Sequence, residues 1–302
     1  MHGRRGYFKL MKFHRIYIEI TNICGLKCSF CPTSDISSET MSLKLFEDMV
    51  MQSKKYTKEI AFHVMGDPLT VNNLVEYLDI MEKYKMKAIL TTSGYFIKKH
   101  PISTLFHNAV KQINISLNSY NKNDTAITLL QYITPIINLC KEKIKQDANL
   151  FINLRIWNLD EMMSEKNFNQ ELFKELSNNF YLKQTIEIIY KERPKNIRLE
   201  NKILLHFDNY FEWPSLDNPI YGNGTCLGLK SHIAILVDGT VVPCCLDSKG
   251  VIELGDFKKN TLDEIMNNNR TQSIKNGFKN DIAIEELCQK CSYKDRFNEQ
   301  SL

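Results

Sequence analysis

No run of this sequence stays apolar for the roughly 20 residues that a membrane span requires, and its basic first ten residues lead into neither an apolar segment nor a cleavage site. Membrane-spanning and secreted chains are therefore not expected, and the expected location is the cytoplasm. Strong charge of either sign is also missing. The 39 basic and 35 acidic residues leave +4, too little to point to nucleic acid or to a membrane surface as partner. A disulfide framework is not expected in a reducing compartment either, so the nine cysteines point to metal or redox work.

What is present suits one large α/β domain, or two domains with separate cores: 302 residues, 43% apolar and 25% charged. Eight of the nine cysteines fall in three groups: Cys24, Cys28 and Cys31; Cys226, Cys244 and Cys245; Cys288 and Cys291. Cys140 stands alone in an apolar helical pattern and reads as core. The first group forms a C-x3-C-x2-C run directly after an alternating apolar segment, 16–20, that reads as a strand. Three thiolates so close in sequence converge only around something, and the bland alternative is a chance cluster or a reactive thiol. A structural zinc normally completes four local ligands. Here no fourth Cys or His lies nearby, since His14 precedes the strand and the next is His63. An incomplete set suits a 4Fe-4S cluster with one iron left open.

With Phe30 in the aromatic position, this run resembles the C-x3-C-x-aromatic-C signature of radical S-adenosylmethionine (SAM) enzymes. The resemblance implies a partial α/β barrel whose first strand ends in the cluster loop. It also implies a 4Fe-4S cluster whose open iron is chelated by S-adenosyl-L-methionine, and one-electron cleavage of that cofactor to a 5'-deoxyadenosyl radical.

From Arg15 to about Tyr190, β-rich apolar runs alternate with amphipathic stretches, the rhythm of βα units on a parallel sheet. Strands are expected at 16–20, 59–65, 88–92, 112–117, 150–157 and 185–190, and helices at 42–54, 71–84, 102–106, 125–145 and 160–177. Functional residues belong at the C-terminal ends of such strands. Gly66-Asp67-Pro68 is by itself a turn. It resembles the family's Gly-Glu-Pro segment, which binds the amino group of the cofactor, with Asp67 one methylene shorter. Ser93, in Thr91-Thr92-Ser93-Gly94, and Ser116 with Asn118, in the segment 113–119, match further cofactor-lining segments. Arg155 alternates with apolar neighbours in an interior strand and needs an anionic partner. A cofactor or substrate carboxylate and a protein acid are equally open for it. The segment 191–219 reads as a connection between domains.

Cys226, Gly239 and Cys244 form a C-x12-G-x4-C pattern, followed by Cys288-x2-Cys291. Asp238-Gly239 between two apolar runs predicts a hairpin with a type I' turn that brings Cys226 and Cys244 together. A helix is expected at 262–274. On spacing alone four thiolates could hold zinc. The pattern is, however, similar to the SPASM/Twitch extension of radical SAM enzymes, in the shorter four-cysteine form that carries one auxiliary 4Fe-4S cluster. Its ligands are then Cys226, Cys244, Cys288 and Cys291, with Cys245 the alternative to Cys244.

The expected architecture is α/β: a partial (β/α)6 TIM-like barrel over 10–205 and a small α+β Twitch-like domain, hairpin plus helix, over 206–302. The expected activity is hydrogen abstraction from, and oxidation or modification of, a small metabolite or a peptide. No leader-recognition domain is expected before Arg15. A flavodoxin or ferredoxin is the reductant that the resemblance implies. The rival reading is a non-catalytic iron-sulfur electron carrier or a zinc-binding regulatory protein.

Overall fold

The computed structural model describes residues 12–32, 38–157, 165–192 and 194–298. Ten strands lie in one sheet: β1 (Arg15–Ile18), β2 (Glu59–Ala61), β3 (Lys87–Thr92), β4 (Val110–Ser116), β5 (Phe151–Trp157), β6 (Asn196–Glu200), β7 (Ile203–Asp208), β8 (His232–Ile235), β9 (Thr240–Val242) and β10 (Gly255–Asp256). Their order is β10-β9-β8-β1-β2-β3-β4-β5-β7-β6. Every neighbour from β8 to β7 is parallel, and the outer pairs are antiparallel. This is a partial TIM-like barrel.

Alternation decides which face each side chain takes. Ile16, Ile18 and Ile60 are fully buried on the outer face, where the helices Leu43–Ser53, Leu74–Lys83, Leu129–Lys145 and Lys166–Asn179 supply the core. Tyr17, Asn114, Asn153 and Arg155 take the inner face. Two of these helices begin where side-chain oxygens satisfy free backbone donors. The Ser42 side chain accepts from Leu45 N, and Thr128 with Gln131 forms a capping box. Cys140 is fully buried in the Leu129–Lys145 helix, as core.

Five of the six expected parallel strands are present, and the sixth lies elsewhere. The segment 185–190, rich in isoleucine, forms a helix, Ile186–Tyr190. Its contacts come three and four residues apart. Ile186 is buried, and Tyr190 packs on Phe173 and Phe207 with ring centroids 5.5 and 5.0 Å away. The sixth strand is β7, inside the stretch read as a connection, and β6 folds back on it through Lys202, at a positive φ of 59°. Of the expected helix 160–177, residues 160–164 lie outside the described residues. The rest is Lys166–Asn179.

The β8–β9 hairpin forms, without the type I' turn. Only Gly239 has positive φ, at 98°; Gly239 N donates to Leu236 O and Leu236 N to Thr240 O. Two successive positive-φ residues are thus absent, and the closure is a turn followed by one left-handed glycine. The expected helix 262–274 is two, Leu262–Asn267 and Asn269–Lys279, separated at Asn268, whose extended backbone (φ −70°, ψ 163°) caps the second. β8 lies along β1, so residues from both expected domains share one sheet.

Candidate functional site

The loop after β1 carries Cys24, Cys28 and Cys31. It is anchored by Asp67 N, which donates to Ile23 O at 3.0 Å, and by Ser29 N, which donates to Lys122 O at 2.8 Å, and it turns on itself where Cys31 N donates to Cys28 O at 3.0 Å. Gly25 turns it at φ +71°, where a Cβ would lie 2.9 Å from the Phe96 ring. Burial pushes the Cys24 thiol up to about 11 and the Cys31 thiol up to about 12, with neighbouring thiols adding to both. Cys28 is raised by the same burial and hydrogen-bonds Ser119.

Among the described residues, neither group of thiols brings three sulfurs within 4.8 Å of one another. A tetrahedral zinc, with Zn–S about 2.3 Å, would need sulfurs about 3.8 Å apart. A cluster, in which each thiolate meets a different iron, does not require sulfurs that close.

All seven residues expected around the cofactor line one cavity with these cysteines: Phe30, Gly66, Asp67, Ser93, Ser116, Asn118 and Arg155. Several of them also join strand ends to one another. Asp67 Oδ2 accepts from Thr92 Oγ1 (2.8 Å), Ser93 N (2.8 Å) and Ser93 Oγ (2.7 Å), and Oδ1 accepts from Leu69 N (3.0 Å). Its carboxylate therefore clamps the end of β3 to the Pro68 turn. Gly66 is needed because a Cβ would lie 1.9 Å from Thr21 O, in the backbone that leads into the cysteine loop. Asn118 Oδ1 accepts from Trp157 N at 2.8 Å, joining the ends of β4 and β5. Phe30 meets Trp157 edge-on at 4.4 Å. Arg155, half-buried, has among the described residues one ion pair, at 3.8 Å with Asp208, whose other oxygen takes Arg296 at 3.2 Å.

The hairpin brings the second group together as expected. A Cβ on Gly228 would lie 3.6 Å from Cys244 Cβ and 3.7 Å from Cys226 Sγ. Burial raises the Cys244 thiol, and the charges of Cys226, Cys245 and Cys288 raise it further; Cys288 is raised likewise by burial, Cys226 and Cys291. Cys245 faces the barrel instead, where the Tyr17 hydroxyl hydrogen-bonds it.

Both groups of thiols, with Cys245, line the same cavity, of about 310 Å³, and a second hollow of about 560 Å³ adjoins it beside 210–217 and 246–251. Sequence reasoning missed Tyr17 and His63 on the inner face, and Phe211, Trp213 and Tyr293 over the mouth. His63 packs edge-on against Tyr17 at 5.3 Å, its Nδ1 is buried without a partner, and burial pushes it down to about 3. Alternation in 16–20 and 59–65 already put Tyr17 and His63 opposite the isoleucines. That was the available signal.

A barrel whose first strand ends in three spaced thiols, with a second thiol group on the same cavity, defines an iron-sulfur enzyme. The radical SAM superfamily matches residues 18–154 and the SPASM iron-sulfur cluster-binding domain residues 226–292. The chain belongs to the radical SAM superfamily and carries a SPASM domain, and its cofactors are S-adenosyl-L-methionine and iron-sulfur clusters. It is similar to GTP 3',8-cyclase of Synechocystis sp. (strain ATCC 27184 / PCC 6803 / Kazusa), 25% identical over 148 residues, covering 47% of this chain and 45% of that one. It is also similar to the S-adenosyl-L-methionine-dependent 2-deoxy-scyllo-inosamine dehydrogenase of Niallia circulans, 26% identical over 111 residues, covering 34% and 44%. The chain thus spans less than half the length of these curated relatives. The crystal structure of BtrN in complex with AdoMet and 2-DOIA shares the fold, with TM-score 0.59, 16% identity and 93% of each chain covered. Among the described residues no helix is long and apolar enough to cross a membrane.

Proposed function

We propose that Cys24, Cys28 and Cys31 hold the cofactor-cleaving 4Fe-4S cluster, that Cys226, Cys244, Cys288 and Cys291 hold an auxiliary one within a C-terminal unit spanning 206–302, and that the enzyme oxidises a small metabolite. The observation that carries this reading is that both groups of thiols open on one cavity. With their groups bound, the first site supplies a 5'-deoxyadenosyl radical that removes a hydrogen atom from substrate, and the second supplies an acceptor for the electron that oxidation releases.

The chain's own residues frame that chemistry. Asp67, Ser93 and Asn118 fix the strand ends around the cofactor. Arg155, whose partner Asp208 is shared with Arg296, offers its guanidinium to an oxygen of substrate or cofactor. Phe30, Trp157 and Phe211 keep water from the reacting carbon. A peptide is the second reading, favoured by the adjoining hollow of about 560 Å³, which has room for chain extending past the reacting residue. The electron donor is proposed to be a flavodoxin or ferredoxin.

Anaerobic reconstitution tests this. The wild type should bind about eight irons and release 5'-deoxyadenosine when reduced by dithionite or flavodoxin. Cys28→Ala should abolish release, whereas Cys288→Ala should keep cleavage but lose coupling to substrate oxidation. Zinc alone, with no cleavage product, would overturn the proposal. Deuterium transfer into 5'-deoxyadenosine from labelled metabolites or from labelled peptides decides between the two substrate classes.

A further inference from the structure

Lys294 ends the short turn Ser292–Lys294 that follows Cys291. It is 2% exposed, among the largest fully buried side chains. Its ammonium donates to Cys291 O at 2.9 Å and Gln289 O at 3.4 Å, and lies 5.6 Å from the centre of the Tyr221 ring. Lys294 forms no ion pair among the described residues. The nearby Tyr221 hydroxyl is itself given to Glu212 at 2.9 Å. A buried ammonium held only by neutral oxygens is costly unless negative charge lies close by.

The groups that feel its charge are the Cys226 and Cys291 thiols. The acidic groups whose charge acts on Cys288 are Glu285 and Asp247. Glu285 is taken up by Arg270 in two 2.8 Å bonds, and Asp247 by the backbone N–H groups of Val251 (2.9 Å) and Ile252 (2.8 Å).

We infer that Lys294 is the counter-charge of the cluster held by Cys226, Cys244, Cys288 and Cys291, and biases that cluster toward accepting an electron. This rests on the ligand assignment proposed above. A 4Fe-4S core with four thiolates is net negative when oxidised and one charge more negative once reduced, and net local charge is one of the terms that set its potential. A fixed positive charge beside two of the four sulfurs therefore favours the reduced form, in surroundings where burial weakens screening. The same lysine beside a zinc ion would neutralise charge and tune nothing.

The test is an EPR-monitored redox titration of the fully loaded chain. Lys294→Gln, which keeps a donor for the Cys291 carbonyl but not the charge, should lower the midpoint potential of the C-terminal cluster; Lys294→Arg should restore it, and the N-terminal cluster should not move. An unmoved potential in a fully loaded Lys294→Gln protein overturns the inference. Melting of apo and loaded protein supplies a second readout that does not depend on activity. If Lys294 is the counter-charge, Lys294→Gln shrinks the gain in melting temperature on loading, or folds normally as apoprotein yet takes up only the N-terminal cluster. If it merely caps two carbonyls, apo and loaded forms lose stability equally, which also overturns it. Metal analysis of the wild type separates this from failure of the ligand assignment, since zinc or no metal at the four cysteines appears before any variant is made.

Discussion

Glu19, at the end of β1, is 3% exposed and joins two loops: Oε1 accepts from Met65 N at 2.8 Å and Oε2 from Val237 N at 3.2 Å. Burial pushes its carboxyl up to about 7, against the pull of those N–H donors. Between the ordinary value near 4.5 and 7, the folded chain keeps a proton that the unfolded chain has lost. This group therefore makes stability fall as pH rises through that window and level off above it, by on the order of 3 kcal/mol. Glu19→Gln removes the slope. The melting temperature of the variant relative to wild type should rise from pH 5 to pH 8, and a constant difference would refute the titration. Glu19 drew no notice in the sequence, where it was one polar position in an alternating strand. Gly66 and Asp67 stand out in the sequence, and the structure adds contacts between strand ends that residue type alone does not announce. Residue types announce that a strand end is special, but whether a carboxylate meets a cofactor or the next strand depends on distances the sequence does not carry.

Elements were legible where the apolar periodicity ran long enough to decide between helix and strand. Ser42, Thr128 and Thr261 cap helices that the periodicity predicts, each side chain accepting a backbone N–H of the first turn. Legibility failed where a short apolar segment suits either period, as at 185–190, and where a strand hides among turn-forming residues, as β7 does after Lys202. The break at Asn268 is of another kind. Its Oδ1 accepts from Thr271 N at 2.9 Å and its Nδ2 donates to Leu254 O at 2.6 Å, so one side chain ends the first helix's course, caps the second and ties both to the approach to β10. Asn268→Ala should cost about 1 kcal/mol for the lost cap, with more for the orphaned Leu254 carbonyl. Urea denaturation of the apoprotein should show a lower midpoint, and Asn268→Asp should recover the cap but not the bond to Leu254.

At the scale of the molecule, the cysteine spacings located both thiol groups, and the βα rhythm identified the barrel. The sequence had no means of showing that the C-terminal hairpin continues the barrel's own sheet, because strand neighbours far apart in the chain are chosen by packing. β8 pairs with β1 in four register positions, from Arg15–His232 to Ile18–Ile235. Removing residues 209–302 would therefore leave β1 as a bare edge, an aggregation-prone surface. Such a truncation should run as aggregate on size exclusion and fail to hold the N-terminal cluster; a monomer carrying four irons per chain would count against this dependence.

The β1–β8 ladder also sets a spacing. The strand that bears the cysteine loop at its tip is bonded along one flank to the hairpin that delivers Cys244, so the two metal-binding regions cannot part like jaws without tearing a parallel ladder. The irregular ribbon 209–225, which contributes Phe211 and Trp213 to the cavity wall, is tied down without strand pairing, by single bonds such as Tyr221 N to Gln289 O at 2.9 Å. The separation of the two thiol groups is thus set by strand pairing and not by that ribbon.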